Sequence, residues 1–204
     1  MIVVGVVGGI ASGKSFVTQY LESLGAVVLD ADRMGHQVLR LPSVKTILRT
    51  EWGGQIFDAA GEVDRSKLAQ IVFDPQQPER LQKLEAITHP IIKEKLQAEL
   101  ELLRESGKVK VLVMDAPVMV KAGWYVLCDV IIFVDTSPSN RLNRVLQRGW
   151  TEAMLRNREA MQTPVESKRR ISTHVLDNNG TKEQATCQLN KIWSQIQKRA
   201  DSSE

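Results

Sequence analysis

Eight consecutive residues near the amino terminus have the types and spacing to do phosphate chemistry. Gly8-Gly9-Ile10-Ala11-Ser12-Gly13-Lys14-Ser15 satisfies G-x-x-x-x-G-K-[ST]. Glycines allow backbone torsions closed to other residues, so successive N–H groups can turn inward and hold phosphate oxygens at the positive end of a following helix. Lys14 would reach the β- and γ-phosphates, and the Ser15 hydroxyl would bind the Mg²⁺ that spans them. The plain alternative, a glycine-rich turn without a ligand, loses ground once the flanking elements are considered.

Those elements match the motif's requirements. Ile2 to Val7 is a continuous apolar run rich in β-branched residues, the pattern of a strand buried on both faces. Ser15 to Leu24 has helical spacing with Phe16, Val17, Tyr20, Leu21 and Leu24 apolar, and Gly25 closes it. Further strands are expected at Val27–Leu29, Val109–Met114, Val130–Val134 and Val175–Leu176, the first three of these ending before Asp30, Asp115 and Asp135. Strands alternating with helices predict an α/β fold with a parallel sheet and ligands at the strands' carboxyl ends. Residues 31–104 are helical in pattern, broken by Pro42, by the Gly53, Gly54 and Gly61 region, and by the Asp74 to Pro78 turn. So long a helical excursion predicts a subdomain that builds a substrate pocket, or else a structural cap.

The phosphate loop alone does not separate kinases from other nucleotide-dependent proteins. Guanine readers need N-K-x-D, and the pair Asn190-Lys191 continues as Ile192-Trp193 within a helical pattern. Asp58-Ala59-Ala60-Gly61 imitates D-x-x-G, but no apolar strand precedes it, and it reads as a turn. Asp115 closes an apolar strand as a carboxylate near a nucleotide's metal would, or it only starts a turn. Asp30-Ala31-Asp32 follows the second strand, where alternation would point one carboxylate into the cleft to accept a proton from an attacking hydroxyl; helix N-capping is the alternative.

Composition sets outer bounds. The 204 residues suffice for one domain with a real core, and 43% hydrophobic with 25% charged residues is ordinary for a globular chain. Lys and Arg outnumber Asp and Glu by only 27 to 24 and are scattered, which gives nucleic-acid binding little support. Cys128 and Cys187 show no metal-ligand spacing. Neither a secretory signal nor an apolar run of membrane-spanning length is visible, which leads to the expectation of a cytoplasmic protein with no membrane partner.

The ordered residues resemble the dephospho-CoA kinase family across nearly the whole chain. The likeness is carried by Gly8-Gly9-Ile10-x-Ser12-Gly13-Lys14-Ser15, Asp30-Ala31-Asp32 with His36, Arg65 and Leu68 before Val72-Phe73, His89-Pro90-x-Ile92, Asp115-x-Pro117, Arg144 with Arg148, Gln162, Lys168, and Asp177-Asn178-x-Gly180. The resemblance implies an ATP-dependent phosphotransferase that moves the γ-phosphoryl group to the ribose 3′-hydroxyl of dephospho-CoA. It also implies a three-layer P-loop kinase fold with a central five-stranded parallel sheet, a helical insertion at about 31–104 that holds the CoA portion, and a closing lid at about 139–171 around a core of about 1–30, 105–138 and 172–204.

The same resemblance assigns the residues. Asp32 matches the family's proposed base, with Lys14, Arg144 and Arg148 as its catalytic companions, although both arginines also read as solvated helix charges. Gly8 to Phe16 with Asn178 and Gly180 would hold ATP, the latter two near adenine, where a plain turn is the other reading. Asp30, His36, Arg65, His89 and Asp115 fall on the substrate side. His89 either bonds substrate or caps a helix, and His36 reads equally as a solvated or internally satisfied histidine. The sequence departs from the family at Val7, Ala11 and Phe16, where threonine, glycine and a small hydroxyl residue are usual, and at Lys121 and Ser172-Thr173, where acidic residues are common. A different small-metabolite kinase and a nucleotide-dependent binding protein are the competing readings, and the expected assembly is a monomer or weak homo-oligomer.

Overall fold

A computed structural model describes residues 1–74 and 76–202. The chain divides into two compact units, Met1–Asp30 with Glu101–Glu204, and Ala31–Leu100. The first unit carries five parallel strands, β1 (Ile2–Gly8), β2 (Val27–Asp30), β3 (Val111–Asp115), β4 (Val130–Asp135) and β5 (His174–Asp177), in the spatial order β2-β3-β1-β4-β5. The expected five-stranded parallel α/β sheet is therefore the observed one. β1 is the middle strand, and the chain leaves it toward β2 on one side and later fills β4 and β5 on the other. Its carboxyl end is the point where strand order reverses, the place where open α/β sheets bind ligands.

Parity along β1 explains why its residues are uniformly apolar. Ile2, Val4 and Val6 share one buried cluster with Val111, Val113, Val130, Ile132 and Val134. Over this face lie α1 (Lys14–Ser23) and α9 (Lys182–Asp201), which contribute Val17, Leu21, Leu189, Ile192, Trp193 and Ile196. The opposite face is so close-packed at Gly5 that a Cβ there would lie 2.8 Å from Met119 Sδ and 2.9 Å from Cys128 Sγ. A strand with packing on both faces has no solvent side on which to place polar residues.

Strand ends differ from expectation by a residue or two. β3 begins at Val111, not Val109, because its register with β1 starts at Ile2↔Val111, while the Lys110 carbonyl accepts the Ile2 amide at 2.9 Å. The strand ends carry aspartates in lateral pairs, Asp30↔Asp115 and Asp135↔Asp177. α6 (Pro138–Leu146), α7 (Glu152–Ala160) and α8 (Val165–Arg170) follow β4 within the same unit. Ser137 caps α6 by accepting the Asn140 amide, and Thr151 caps α7 by accepting the Met154 amide.

The second unit is helical, with α2 (Ala31–Val38), α3 (Pro42–Trp52), α4 (Arg65–Val72) and the part of α5 (Glu79–Glu105) that reaches Leu100. Pro42 opens α3 at a position where a missing N–H costs nothing. Asp58-Ala59-Ala60-Gly61 is a turn: Asp58 Oδ1 accepts the Ala60 and Glu62 amides at 2.9 Å each, and Gly61 takes φ +75°. In the Asp74 to Pro78 turn, Asp74 Oδ1 accepts the Gln76 amide at 2.9 Å, while Pro75 lies outside the described residues. Pro90 sits inside α5, so the helix-cap reading of His89 does not hold. Asn190 and Lys191 lie within α9, as their helical pattern predicts. Among the described residues, no helix is long and apolar enough to cross a membrane.

Candidate active site

The loop between β1 and α1 follows from its glycines and one exception to them. Gly13 takes φ +101°, where a Cβ would also collide with the Asn178 side-chain amide, so this position admits only glycine. Ala11 takes φ +58°, the left-handed region that a non-glycine residue enters at a cost of about 1 kcal/mol. Among the described residues, no side chain caps the amino end of α1. Its first amides are left for an anion, with the helix dipole behind them.

The loop's shape is held from behind by a single carbonyl. Ser12 O accepts from Thr136 Oγ1 at 2.9 Å, from Arg144 Nη1 at 2.9 Å and from Asn178 Nδ2 at 2.7 Å. Arg144 Nη1 also donates to Ala11 O at 3.1 Å, and its Nη2 donates to Asn178 O at 3.0 Å. Asn178 is buried, and its amide bonds Asp135 O at 2.8 Å, which ties the loop after β5 to the end of β4. Gly180 follows in that loop, where a Cβ would collide with the Gln184 side chain that completes the capping box of α9.

Three cations surround the Gly8-Gly9 segment. Lys14 Nζ donates to Gly9 O at 2.8 Å and Gly8 O at 3.4 Å. Lys168, on α8 and only 4% exposed, donates to Gly8 O at 3.2 Å and to Gln162 Oε1 at 2.8 Å. Arg141, on α6, lies so close to Gly9 that a Cβ there would be 2.8 Å from Nη1. Burial above all, then the Lys168 charge, lowers the Lys14 ammonium to about 8. Burial also lowers Lys168 from the usual lysine range. Asp115 is pushed up chiefly by burial and then by the neighbouring Asp30 carboxylate, with Lys14 opposing both. Cations clustered and partly dehydrated without equal counter-charge define a site prepared for a polyanion.

The helical unit has its own cavity, of about 710 Å³, lined by His36, Leu39, Arg40, Asp58, Glu62, Val63, Asp64, Arg65 and Ser66. His36 Nε2 and Arg65 Nη1 are 2.6 Å apart. A guanidinium can only donate, so Nε2 accepts and the imidazole proton is on Nδ1. Asp64 orients Arg65 by capping α4, accepting the Ser66 amide at 3.0 Å and the Lys67 amide at 3.2 Å. Asp32 is exposed in the first turn of α2. β2 ends at Asp30 and Asp32 lies in α2, so strand alternation does not reach Asp32.

Comparison with known proteins decides what such a site belongs to. The family model described as dephospho-CoA kinase matches residues 2–184. The chain belongs to the dephospho-CoA kinase family. A dephospho-CoA kinase of Thermobifida fusca is 34% identical over 99% of this chain and 100% of its own. A crystal structure of a Thermus thermophilus protein superposes with a TM-score of 0.76 at 31% identity, covering 95% of this chain and 97% of the other. The Campylobacter jejuni dephospho-CoA kinase shares the fold, with a TM-score of 0.72 at 24% identity over 96% and 97% of the two chains.

The P-loop, Asn178 and Arg144 of this family member are drawn together as one assembly, and His36 and Arg65 as a second. Ser15 and Phe16 open α1, where Ser15 is exposed and the Phe16 ring faces Lys182 Nζ at 5.3 Å. Arg148 lies beyond the end of α6 and is exposed. His89 lies within α5, half-buried. Sequence reasoning singled out Arg144 and Arg148 among the basic residues and gave no role to Arg141 or Lys168. Gln162 and Lys168 stood in the family pattern, but a buried lysine is recognisable as such only when α8 is seen to place it under Gly8.

Proposed function

We propose that this chain transfers the γ-phosphoryl group of ATP to the ribose 3′-hydroxyl of dephospho-CoA, giving CoA and ADP. One observation carries the reading: an uncapped helix end and three clustered cations surround a P-loop at the switch point of a sheet whose chain belongs to the dephospho-CoA kinase family. The amides of the loop and Lys14 bind and orient the phosphate chain, and the ammonium charge of Lys14 offsets that of the transferring group. Asn178 and Gly180 form the loop toward the base of the nucleotide, and Arg144 fixes the cradle's shape as a positioning group.

Asp32 is our choice for the proton acceptor, since its carboxylate is exposed in the first turn of α2 and is of the type that takes the proton of an attacking hydroxyl. His36 and Arg65, in the cavity of the helical unit, recognise the acceptor, and Asp30, Asp115 and His89 are the other residues assigned to substrate binding. Residues 139–171 act as a lid whose closure excludes water and brings Arg148 toward the transferring group. Mg²⁺ is usually held by few protein oxygens plus phosphates, and the exposed Ser15 hydroxyl in the first turn of α1 is an oxygen of that kind. Ser15 would hold it, and when bound it neutralises charge on the β- and γ-oxygens. A cytoplasmic protein, monomeric or weakly self-associating, suits this activity.

Incubation with ATP, Mg²⁺ and dephospho-CoA should give CoA with phosphate on the 3′-oxygen, read by chromatography and mass. Phosphorylation of other small alcohols but not dephospho-CoA would transfer the site to another metabolite kinase. Asp32→Asn should lower kcat by about 10²–10⁴-fold with the ATP Kd little changed, and near-normal turnover removes Asp32 from the role of base.

A further inference from the structure

Arg141 is buried to 8% exposure beside Gly9, on the inner side of α6. Its Nη1 is paired with Glu159 of α7, while its Nε, also buried, has no hydrogen-bond partner among the described residues. The Arg141 charge is felt by both Lys14 and Lys168. A dehydrated guanidinium with an unsatisfied donor, placed against two like charges, is unfavourable unless some further acceptor completes it. Glu159 supplies only one partial answer, and it is the more exposed member of the pair, at 31% against 10% for the side chains. The guanidinium's fork geometry matches phosphate oxygens better than any other side chain does.

We propose that Arg141 is a direct ligand of the nucleotide's terminal phosphates and that Glu159 is the counter-charge they displace. The vacant Nε then donates to a phosphate oxygen, and the carboxylate on α7 is released from α6. Nucleotide occupancy is thereby coupled to the α6–α7 contact by exchange of one anion for another. This rests on ATP occupying the P-loop, as the proposed function holds, and is independent of which alcohol is phosphorylated.

The test measures equilibrium binding of ATP and of AMP, without any acceptor, to the wild type, Arg141→Gln, Arg141→Lys, Glu159→Gln and the double variant. Arg141→Gln should weaken ATP by about tenfold or more while AMP changes less than about twofold, and Arg141→Lys should recover part of the loss. Glu159→Gln removes a competitor and should tighten ATP about three- to tenfold; because Glu159 also faces Lys168, a smaller gain of less than about twofold remains when Arg141 is already Gln. Equal weakening of ATP and AMP by Arg141→Gln, or weaker ATP binding in Glu159→Gln, makes the pair a structural tie and overturns the proposal. If the variants bind ATP as the wild type does, this inference alone fails; if the wild type itself does not bind ATP, the nucleotide reading fails with it.

Discussion

Replacing the P-loop lysine should make the nucleotide-free protein more stable. Burial and the Lys168 charge lower Lys14 from 10.5 to about 8, so its charged form is less favourable in the folded chain than in the unfolded one. At about 1.4 kcal/mol per pK unit, the difference corresponds to roughly 3 kcal/mol of lost stability at pH 7. Lys14→Met keeps most of the side-chain volume but removes the bonds to Gly8 O and Gly9 O, each worth about 1 kcal/mol, so the net gain should be about 1–2 kcal/mol. The sign with pH follows from linkage. For a lysine whose folded pKa lies below its unfolded value, the penalty is full below about 8 and fades as pH rises through 10.5, above which both states are neutral. Urea unfolding of the wild type and Lys14→Met at several pH values from 7 to 10.5 should show the variant's advantage shrinking steadily. A variant less stable than the wild type at pH 7, or an advantage that does not change with pH, refutes the reasoning.

Three other outcomes follow from the same geometry. ATP should draw a proton onto Lys14, so calorimetry in buffers of different ionisation enthalpy should show an uptake of about half a proton near pH 8, falling at pH 6.5 and missing in Lys14→Met. Ala11→Gly relieves a left-handed alanine and should raise stability by up to about 0.5 kcal/mol in denaturant titration, the relief of about 1 kcal/mol being partly offset by the greater freedom glycine gives the unfolded chain; a clear loss of stability would mean that φ +58° is not strained here. Asn178→Ala removes a buried donor from Ser12 O and should cost about 1–2 kcal/mol, together with a measurable weakening of ATP in equilibrium binding.

Much of this molecule was legible in short segments. The β-branched run Ile2–Val7, the glycines after it and the helical spacing that follows specify a strand, a loop and a helix, because backbone torsion and binary pattern are set by neighbours in sequence. The aspartates at the ends of β2, β3 and β4 were visible in the same way, as polar residues closing apolar runs. So was the turn at Asp58–Gly61, whose side-chain-to-amide bonds reach only two and four residues. What only the tertiary structure decided are contacts between segments far apart. Lys168 meets the Gly8 carbonyl across 160 residues, Asn178 meets Ser12 across 166, and Thr136 meets it across 124. Arg141, Arg144 and Arg148 share one basic stretch and are indistinguishable by composition. The rotation and end point of α6 put the first against Gly9, the second behind Ser12 and the third in solvent, because side chains spaced three or four apart share a face only while the helix lasts.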